Sequence, residues 1–219
     1  MISEAYNIDC MEYMATLPDK AFDLAIVDPP YGMKEAGAQT GGKGKLRNRI
    51  FNHGSIDHWD KAPTKEYFIE LFRVSKNQII WGGNYFNLPP TRCVVCWDKV
   101  QPWLNFSQIE MAWTSFNLPA KLFRFDNRTA DKIHPTQKPI ELYLWLLKTF
   151  MIRGGGKILD THLGSGSSRI AAYHLGFDFV GCEIDKGYFD AAEERFRREC
   201  LGETRLDDGR IVKQLKMFE

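Results

Sequence analysis

The stretch Ile158–Gly166, ILDTHLGSG, decides the fold. It reads as a short apolar strand, a tight turn containing Gly164 and Gly166, and the start of a helix. Glycines in such a turn let the backbone pass close to a ligand, and the first turn of the helix offers free N–H groups. About twenty residues further on, Glu183 ends the next apolar run, where an acidic side chain can accept both ribose hydroxyls of a nucleoside. The stretch therefore predicts a nucleoside site on an α/β sheet.

The glycine spacing favours a mononucleoside over a dinucleotide. The dinucleotide fingerprint G-x-G-x-x-G needs a third glycine, and that position holds Arg169. The alternative interpretation is a glycine turn that is only structural, as many turns in α/β proteins are. Glu183 at the end of the next strand favours the functional interpretation.

The rest of the chain alternates short apolar runs with amphipathic stretches, which is typical of a parallel sheet flanked by helices. Strands are predicted at Phe22–Val27, Gln78–Trp81, Cys93–Trp97, Ile109–Trp113, Lys157–Leu159 and Phe177–Cys182. Helices are predicted at Thr64–Lys76, Pro139–Phe150, Ser167–Leu175 and Asp185–Cys200. We therefore predict one α/β domain over residues 1–219, with about seven mostly parallel strands and helices on both faces of the sheet.

The composition excludes several classes of protein. The 219 residues carry 29 Lys and Arg against 28 Asp and Glu, and this net charge of +1 excludes a uniformly basic nucleic-acid coat. No apolar run approaches the ~20 residues of a membrane span, and the N-terminal residues lack a secretory signal pattern. Five cysteines, spread from Cys10 to Cys200, indicate reduced thiols in the cytoplasm. Cys93 and Cys96 have metal-ligand spacing, but on a strand they face opposite sides, so no metal site is expected.

A second group of chemically active residues follows the strand Phe22–Val27: Asp28, Pro29, Pro30 and Tyr31. Ligands of open α/β sheets bind beyond the carboxyl ends of the strands. The Asp28 carboxylate and the Pro29 carbonyl are acceptors that suit an exocyclic amino group. The Tyr31 ring can stack on a planar base. The alternative is a strand that simply ends in a proline turn.

Three blocks together carry a family resemblance. Asp28–Tyr31 (DPPY), His134–Pro139 (HPTQKP) and Asp160–Gly166 resemble the amino-group DNA methyltransferases that use S-adenosylmethionine. Their order along the chain is similar to that of the β group, which includes many N6-adenine and some N4-cytosine enzymes. The resemblance covers nearly the whole chain and implies a circularly permuted, Rossmann-like methyltransferase sheet.

The resemblance implies a cofactor site, residue by residue. Asp9 and Cys10 match the strand end that holds the adenine of S-adenosylmethionine, and Glu183 matches the ribose-binding position. Thr136 and Lys138 fall near the carboxylate of its methionine part. The full set of implied cofactor-binding residues is Asp9, Cys10, Asp28, His134, Thr136, Lys138, Asp160, Gly164, Ser165, Gly166 and Glu183.

The implied activity is transfer of a methyl group to adenine N6 in DNA, after the base is flipped out of the duplex. Asp28–Tyr31 is the implied catalytic segment, and neither a metal nor a covalent intermediate is implied. The alternatives are methylation of cytosine N4, a non-catalytic DNA- or cofactor-binding module, and RNA as the substrate in place of DNA. Adenine is favoured because the family's cytosine members more often have Ser where Asp28 stands. Thr161-His162 replaces the common Pro-Phe, and His162 is expected to pack like an aromatic ring.

DNA contact needs cations, and the glycine-rich region 33–56 supplies them. Residues 34–49 carry a net +4, which leaves 24 positive against 27 negative residues elsewhere. We expect a mobile basic loop that binds phosphates; the alternative is a solvated loop. Target recognition is expected from region 87–132, from this loop or from a second subunit of a homodimer. The candidate DNA-binding residues are Lys43, Lys45, Arg47 and Arg49.

The C-terminal tail, 203–219, ends in a short peptide of aliphatic and aromatic residues. It resembles the peptide with which bacterial DNA-processing proteins dock onto the sliding clamp; the alternative is a tail that packs on its own domain. The residues concerned are Gln214, Leu215, Met217 and Phe218. The resemblance as a whole places the protein in the cytoplasm of a bacterium or of a phage-infected cell, in a restriction–modification, orphan or phage role.

Overall fold

The computed structural model describes residues 1–32, 61–101, 107–126, 132–134, 136–151, 155–205 and 210–213. The predicted DNA-binding residues lie outside the described residues: Lys43, Lys45, Arg47 and Arg49. The predicted clamp-binding residues do so as well: Gln214, Leu215, Met217 and Phe218. Among the described helices, none is both long and apolar enough to cross a membrane.

The described strands form a mixed, mostly parallel sheet. Its strands are β1 (Ser3–Asn7), β2 (Phe22–Val27), β3 (Ser75–Trp81), β4 (Val94–Asp98), β5 (Ile109–Thr114), β6 (Lys121–Arg124), β7 (Lys157–Asp160) and β8 (Asp178–Glu183). Their order across the sheet is β1-β8-β7-β2-β3-β5-β4-β6, and β5 runs antiparallel to both of its neighbours. A separate hairpin pairs β9 (Glu203–Arg205) with β10 (Ile211–Lys213). The predicted α/β sheet is confirmed, with eight described strands instead of about seven.

The helices lie on both faces of the sheet. They are α1 (Cys10–Ala15), α2 (Lys65–Val74), α3 (Ile140–Phe150), α4 (Ser167–His174) and α5 (Lys186–Phe196), which continues as a π-helical turn, Arg197–Leu201. Successive residues of a strand point to opposite faces, and β2 shows this directly. Leu24 and Ile26 pack in the core layer of α3 and α4, whereas Ala25 and Val27 pack in the layer of α1 and α2.

The junction between α2 and β3 differs from the prediction. The helix was predicted to reach Lys76, but it ends at Val74, and Ser75 is already extended, with φ −124° and ψ 145°. Polar side chains obscured the start of β3, because both Ser75 and Gln78 are buried there. The Ser75 hydroxyl donates to the Leu71 carbonyl at 2.5 Å, and Gln78 Nε2 donates to the Ser75 carbonyl at 2.9 Å. These bonds offset the cost of burying polar groups.

The strand order reverses between β2 and β7, and this reversal positions the site. From β2 the chain moves outward to β3, whereas from β7 it moves outward to β8 on the other side. The two central strands are in register, with Leu24 beside Ile158 and Ala25 beside Leu159. Their carboxyl ends, at Asp28 and Asp160, therefore lie next to each other. In open α/β sheets this is the edge where ligands bind.

Candidate active site

The Asp28 carboxylate accepts hydrogen bonds from two different parts of the chain. Tyr31 Oη donates to Oδ1 at 2.7 Å, and Lys138 Nζ, from the segment before α3, donates to Oδ2. Lys138 also forms an ion pair with Glu110 on β5, at 3.2 Å. The network joins strand ends that are far apart in sequence, and it fixes the direction of the carboxylate.

The Tyr31 ring stands against a second aromatic side chain. It stacks on Tyr85, with ring centroids 4.9 Å apart and an angle of 19°, and it meets the edge of Phe86 at 6.1 Å. Gly82 makes room for it, because a Cβ there would lie 2.2 Å from the Tyr31 ring. Burial, followed by the carboxylates of Asp28 and Glu110, raises the pKa of Tyr31 well above its usual value. Tyr31 therefore stays a phenol that donates to Asp28.

Lys138 is a buried cation between two carboxylates. Burial alone would lower the pKa of Lys138, but Asp28 and Glu110 raise it above its ordinary value. The side chain is 3% exposed, and Nζ lies 5.2 Å from the centre of the Trp81 ring. The two carboxylates and the Trp81 ring therefore replace the water that would otherwise solvate the ammonium.

Asp160, at the end of β7, begins the other half of the site. It is buried, and burial raises its pKa to about 7. Ser168 Oγ donates to Oδ2 at 2.5 Å, and the His162 amide donates to Oδ1 at 3.0 Å. Burial also raises the pKa of Tyr143, and the next contributions come from Asp160 and Asp28. The two halves of the site are therefore electrostatically connected.

Glu183 is tied to the glycine turn by backbone hydrogen bonds. The Gly164 amide donates to its Oε2 at 2.8 Å, and the Asp185 amide donates to Oε1 at 3.0 Å. Each carboxylate oxygen can accept more than one hydrogen bond, so lone pairs remain for hydroxyl donors. Gly164 and Gly166 adopt φ values of 52° and 73°, which favour glycine.

The N-terminus of α1 lies beside the end of β8. Asp9 caps this helix, accepting from the Met11 amide at 2.7 Å, and Cys10 is its first residue. Asn7 Nδ2 donates to the Glu183 carbonyl at 2.8 Å, which joins the ends of β1 and β8. The first N–H groups of a helix have no acceptor within the helix, so they can bind a ligand.

Two histidines complete the lining of the turn. His162 meets the edge of Tyr67, at 5.4 Å and 70°, so its ring does pack like an aromatic side chain. The His134 ring lies 3.8 Å from the position that a Cβ on Gly164 would take, and Thr136 Oγ1 lies 3.1 Å from its Nδ1. Burial lowers the pKa of each histidine to about 4, so both are neutral at pH 7.

This geometry can be compared with known proteins. A family model described as DNA methylase, N6_N4_Mtase, matches residues 80–194, more than half of the chain. The chain belongs to the N6/N4 DNA methylase family. Type II methyltransferase M.HinfI from Haemophilus influenzae is 28% identical over 245 aligned residues, covering 86% of this chain and 67% of that protein. Putative methylase YubD from Escherichia coli K12 is 24% identical, covering 85% of this chain and 87% of that protein.

Solved structures share the fold of this DNA methylase. M1.HpyAVI in complex with S-adenosylmethionine has a TM-score of 0.57 at 18% identity, covering 89% of this chain and 98% of that one. A putative DNA modification methylase from Thermus thermophilus, solved with the same ligand, has 0.56 at 18%, covering 92% and 96%. The cytosine-N4-specific PvuII DNA methyltransferase has 0.58 at 13%, covering 92% and 94%.

The methylase uses S-adenosylmethionine as its methyl donor, and the residues present fit this group. Its ribose has two hydroxyl donors, and Glu183 supplies two carboxylate oxygens. Its methionine ammonium is a cation, and Asp160 is an acid at the same edge of the sheet. Its adenine and its carboxylate need donors, which the N-terminus of α1 and the glycine turn can offer.

The structure adds to the sequence interpretation at two residues of the methylase. It places the Lys138 ammonium against Asp28 and Glu110, and the expected position of Lys138 near the cofactor carboxylate stays a prediction. Glu110 was missed altogether. The signal was a carboxylate inside the apolar run Ile109–Trp113, which is unusual unless the charge is paired. No group of metal-ligating side chains occurs within the described ranges.

Proposed function

We propose that this DNA methylase transfers the methyl group to N6 of adenine, on a base flipped out of the duplex. The observation that carries the proposal is the Asp28 carboxylate held beside the stacked Tyr31 ring at the switch point of the sheet. This arrangement offers an acceptor for an amino group next to an aromatic surface for its ring. Both features suit an exocyclic amine on a planar base.

Asp28 and the Pro29 carbonyl would accept the two protons of the target amino group. An adenine amino nitrogen is a poor nucleophile, because its lone pair is delocalised into the ring. Two acceptors favour a more tetrahedral nitrogen with a freer lone pair, and most of the rate then comes from placement and electrostatics. Tyr31 would hold the base by stacking, which contributes ~1–3 kcal/mol per base. S-adenosylmethionine supplies an electrophilic methyl group on a sulfonium.

The cofactor-binding half is proposed from the geometry and the family resemblance together. Asp9 and Cys10 would bind the adenine of the cofactor, and Glu183 its ribose. Asp160 and the glycine turn would line its methionine part. His134 and Thr136, which contact each other, would close this side of the site.

The proposed target base is adenine and not cytosine. The fold does not choose between adenine and cytosine, since the PvuII cytosine-N4 enzyme has a TM-score of 0.58 with this chain. Adenine is supported by Asp28, because the cytosine members that the sequence resembles more often have Ser there. Region 87–132 and the basic residues of region 33–56 are proposed to contact DNA and to select the target sequence.

Removing the Asp28 charge tests the catalytic part of the proposal. The purified protein is incubated with unmethylated genomic DNA and S-adenosylmethionine labelled on its methyl group. Asp28→Asn should lower kcat by about 100-fold or more, the size of effect seen when one preorganised polar contact is lost. Its affinity for S-adenosylmethionine in calorimetry should stay near that of the wild type, because the cofactor half of the site is left intact.

Asp23→Asn is the matched control, because Asp23 lies at the other end of β2. It pairs there with Lys76 at 2.7 Å, away from the site. This variant should methylate DNA at the wild-type rate. Near-normal turnover by Asp28→Asn would refute the proposed mechanism. Loss of cofactor binding by the same variant would instead make the cofactor contact that the resemblance also implies the main role of Asp28.

A further inference from the structure

Glu110 occupies an unusual position for a carboxylate. It lies on β5, next to Trp97 of β4, in the half of the sheet that runs from β2 to β6. Lys99 Nζ donates to its Oε1 at 2.9 Å, and Lys138 Nζ lies 3.2 Å from its Oε2. Glu110 is therefore fixed at both oxygens, and one of its two partners is the same ammonium that holds Asp28.

The Lys138 ammonium needs two anions. Its side chain is 3% exposed, so the hydration that it loses must be replaced by the protein. Asp28 is one partner and Glu110 is the other. Without Glu110, the whole attraction of a buried cation would fall on Asp28. We expect the Asp28 carboxylate, which already contacts Lys138 through Oδ2, then to be drawn further towards the ammonium.

We propose that Glu110 is a positioning residue for methyl transfer: it shares the Lys138 ammonium with Asp28 and so keeps the Asp28 oxygens directed at the target amino group. This inference rests on the proposed role of Asp28. Glu110 acts through Lys138 and has no contact with the reacting atoms. A misplacement of about 1 Å can cost 100-fold in rate, so a carboxylate outside the reaction centre can matter for catalysis.

A purely structural role for Glu110 predicts a different outcome. The ion pair with Lys99 could serve only to hold β4 and β5 together. Its loss would then lower stability and leave the kcat of the folded protein unchanged. A positioning role predicts a lower kcat in protein that is folded and binds S-adenosylmethionine normally.

The test substitutes Glu110→Gln, which keeps the size of the side chain and removes its charge. We expect kcat to fall by about 10- to 100-fold, with the KM values for S-adenosylmethionine and DNA unchanged. Glu110→Asp keeps the charge on a shorter side chain, so its kcat should fall less than that of Glu110→Gln. Glu193→Gln is the control, because it breaks the Arg169–Glu193 pair between α4 and α5, and it should leave kcat unchanged.

The pH profile gives a second readout that structural loss would not move. The positioning role requires Lys138 as an ammonium; burial lowers its pKa, and the two carboxylates more than offset this. With Glu110→Gln one of them is gone, so the alkaline loss of kcat should move to lower pH. The titratable groups that face the pair, and that are kept in both proteins, are Asp28, Tyr31, Lys99, Lys132, His134 and Tyr143.

Each remaining outcome decides the matter. A wild-type kcat and an unmoved alkaline limb in Glu110→Gln would overturn the positioning role. A raised KM for DNA at unchanged kcat would make Glu110 a DNA contact instead. If Glu110→Gln does not fold, Glu110→Asp tests the same role, with a smaller expected fall in kcat and a smaller shift of the alkaline limb because the charge is kept. Asp28→Asn is assayed in parallel. If Asp28→Asn is inactive and Glu110→Gln has wild-type kcat, only the positioning role of Glu110 is refuted. If Asp28→Asn is active, the proposed function is refuted.

Discussion

Gly82→Ala would displace the Tyr31 ring, on which the target base is proposed to stack, without removing any chemical group. Gly82 follows β3 with φ +68°, a left-handed conformation that favours glycine. A Cβ at this position would lie 2.2 Å from Cε1 of Tyr31. The ring would have to withdraw by about 1 Å to reach the ~3.5 Å of an ordinary carbon contact. Such a shift would disturb both its stacking on Tyr85 and its hydrogen bond to Asp28.

Gly176→Ala separates the clash from the backbone cost. Gly176 has φ +76°, and a Cβ there would meet nothing within 4 Å. A left-handed conformation costs a residue with a Cβ about 1–2 kcal/mol, and both variants bear this cost. Gly82→Ala adds an overpacking cost of about 1–3 kcal/mol. We therefore expect both to lose stability, and Gly82→Ala to lose clearly more.

The assay compares urea unfolding, cofactor affinity and kcat/KM for DNA in the two variants. Base stacking contributes ~1–3 kcal/mol, so Gly82→Ala should lose about tenfold to a hundredfold in kcat/KM for DNA. Gly176→Ala should keep the wild-type value, and both should bind S-adenosylmethionine normally. Equal kcat/KM values for the two variants would refute the view that Tyr31 forms the wall against which the base stacks.

Three further predictions concern the cofactor half and the tail. Glu183→Gln should weaken S-adenosylmethionine binding by about tenfold or more, because an amide replaces a carboxylate that already accepts from Gly164 and Asp185; unchanged calorimetric affinity would contradict its ribose role. Burial lowers the pKa of His162 from 6.5 to about 4. As the pH falls from about 6.5 to about 4, His162 is therefore protonated in the unfolded chain but stays neutral in the folded chain. The unfolding free energy should therefore drop on acidification, and urea titrations should show a smaller drop in His162→Phe. Deletion of residues 214–219 should abolish sliding-clamp pull-down and spare methylation of short DNA, and unchanged pull-down would end that proposal.

The sequence predicted the central strands well and the edges poorly. Phe22–Val27 was predicted with its observed bounds, because a strand covered on both faces is a continuous apolar run. The residue pattern did not predict the edge strand β1, SEAYN, since Glu4, Tyr6 and Asn7 are exposed and leave no apolar run; only the family resemblance implied a strand end there, before Asp9. The other edge strand, Lys121–Arg124, is short and was missed for the same reason; its Leu122 is 67% exposed.

The site could be predicted in its parts but not in its connections. Asp28 and Glu183 could be found because each follows an apolar run, where strand ends carry ligands. The contact between Lys138 and Asp28 joins residues 110 positions apart, and it depends on the order of strands in the sheet. The position of Glu110 in the site also depends on β5 running antiparallel to β3, and neither periodicity nor spacing in the sequence indicates this direction.

The identity of the methylated base tests directly whether Asp28 and Tyr31 hold an adenine. Genomic DNA methylated in vitro by the wild-type protein is digested to nucleosides and analysed by mass spectrometry, with DNA treated with Asp28→Asn as the blank. We expect N6-methyladenine in the wild-type sample and none above background in the blank. N4-methylcytosine in place of N6-methyladenine would contradict this expectation.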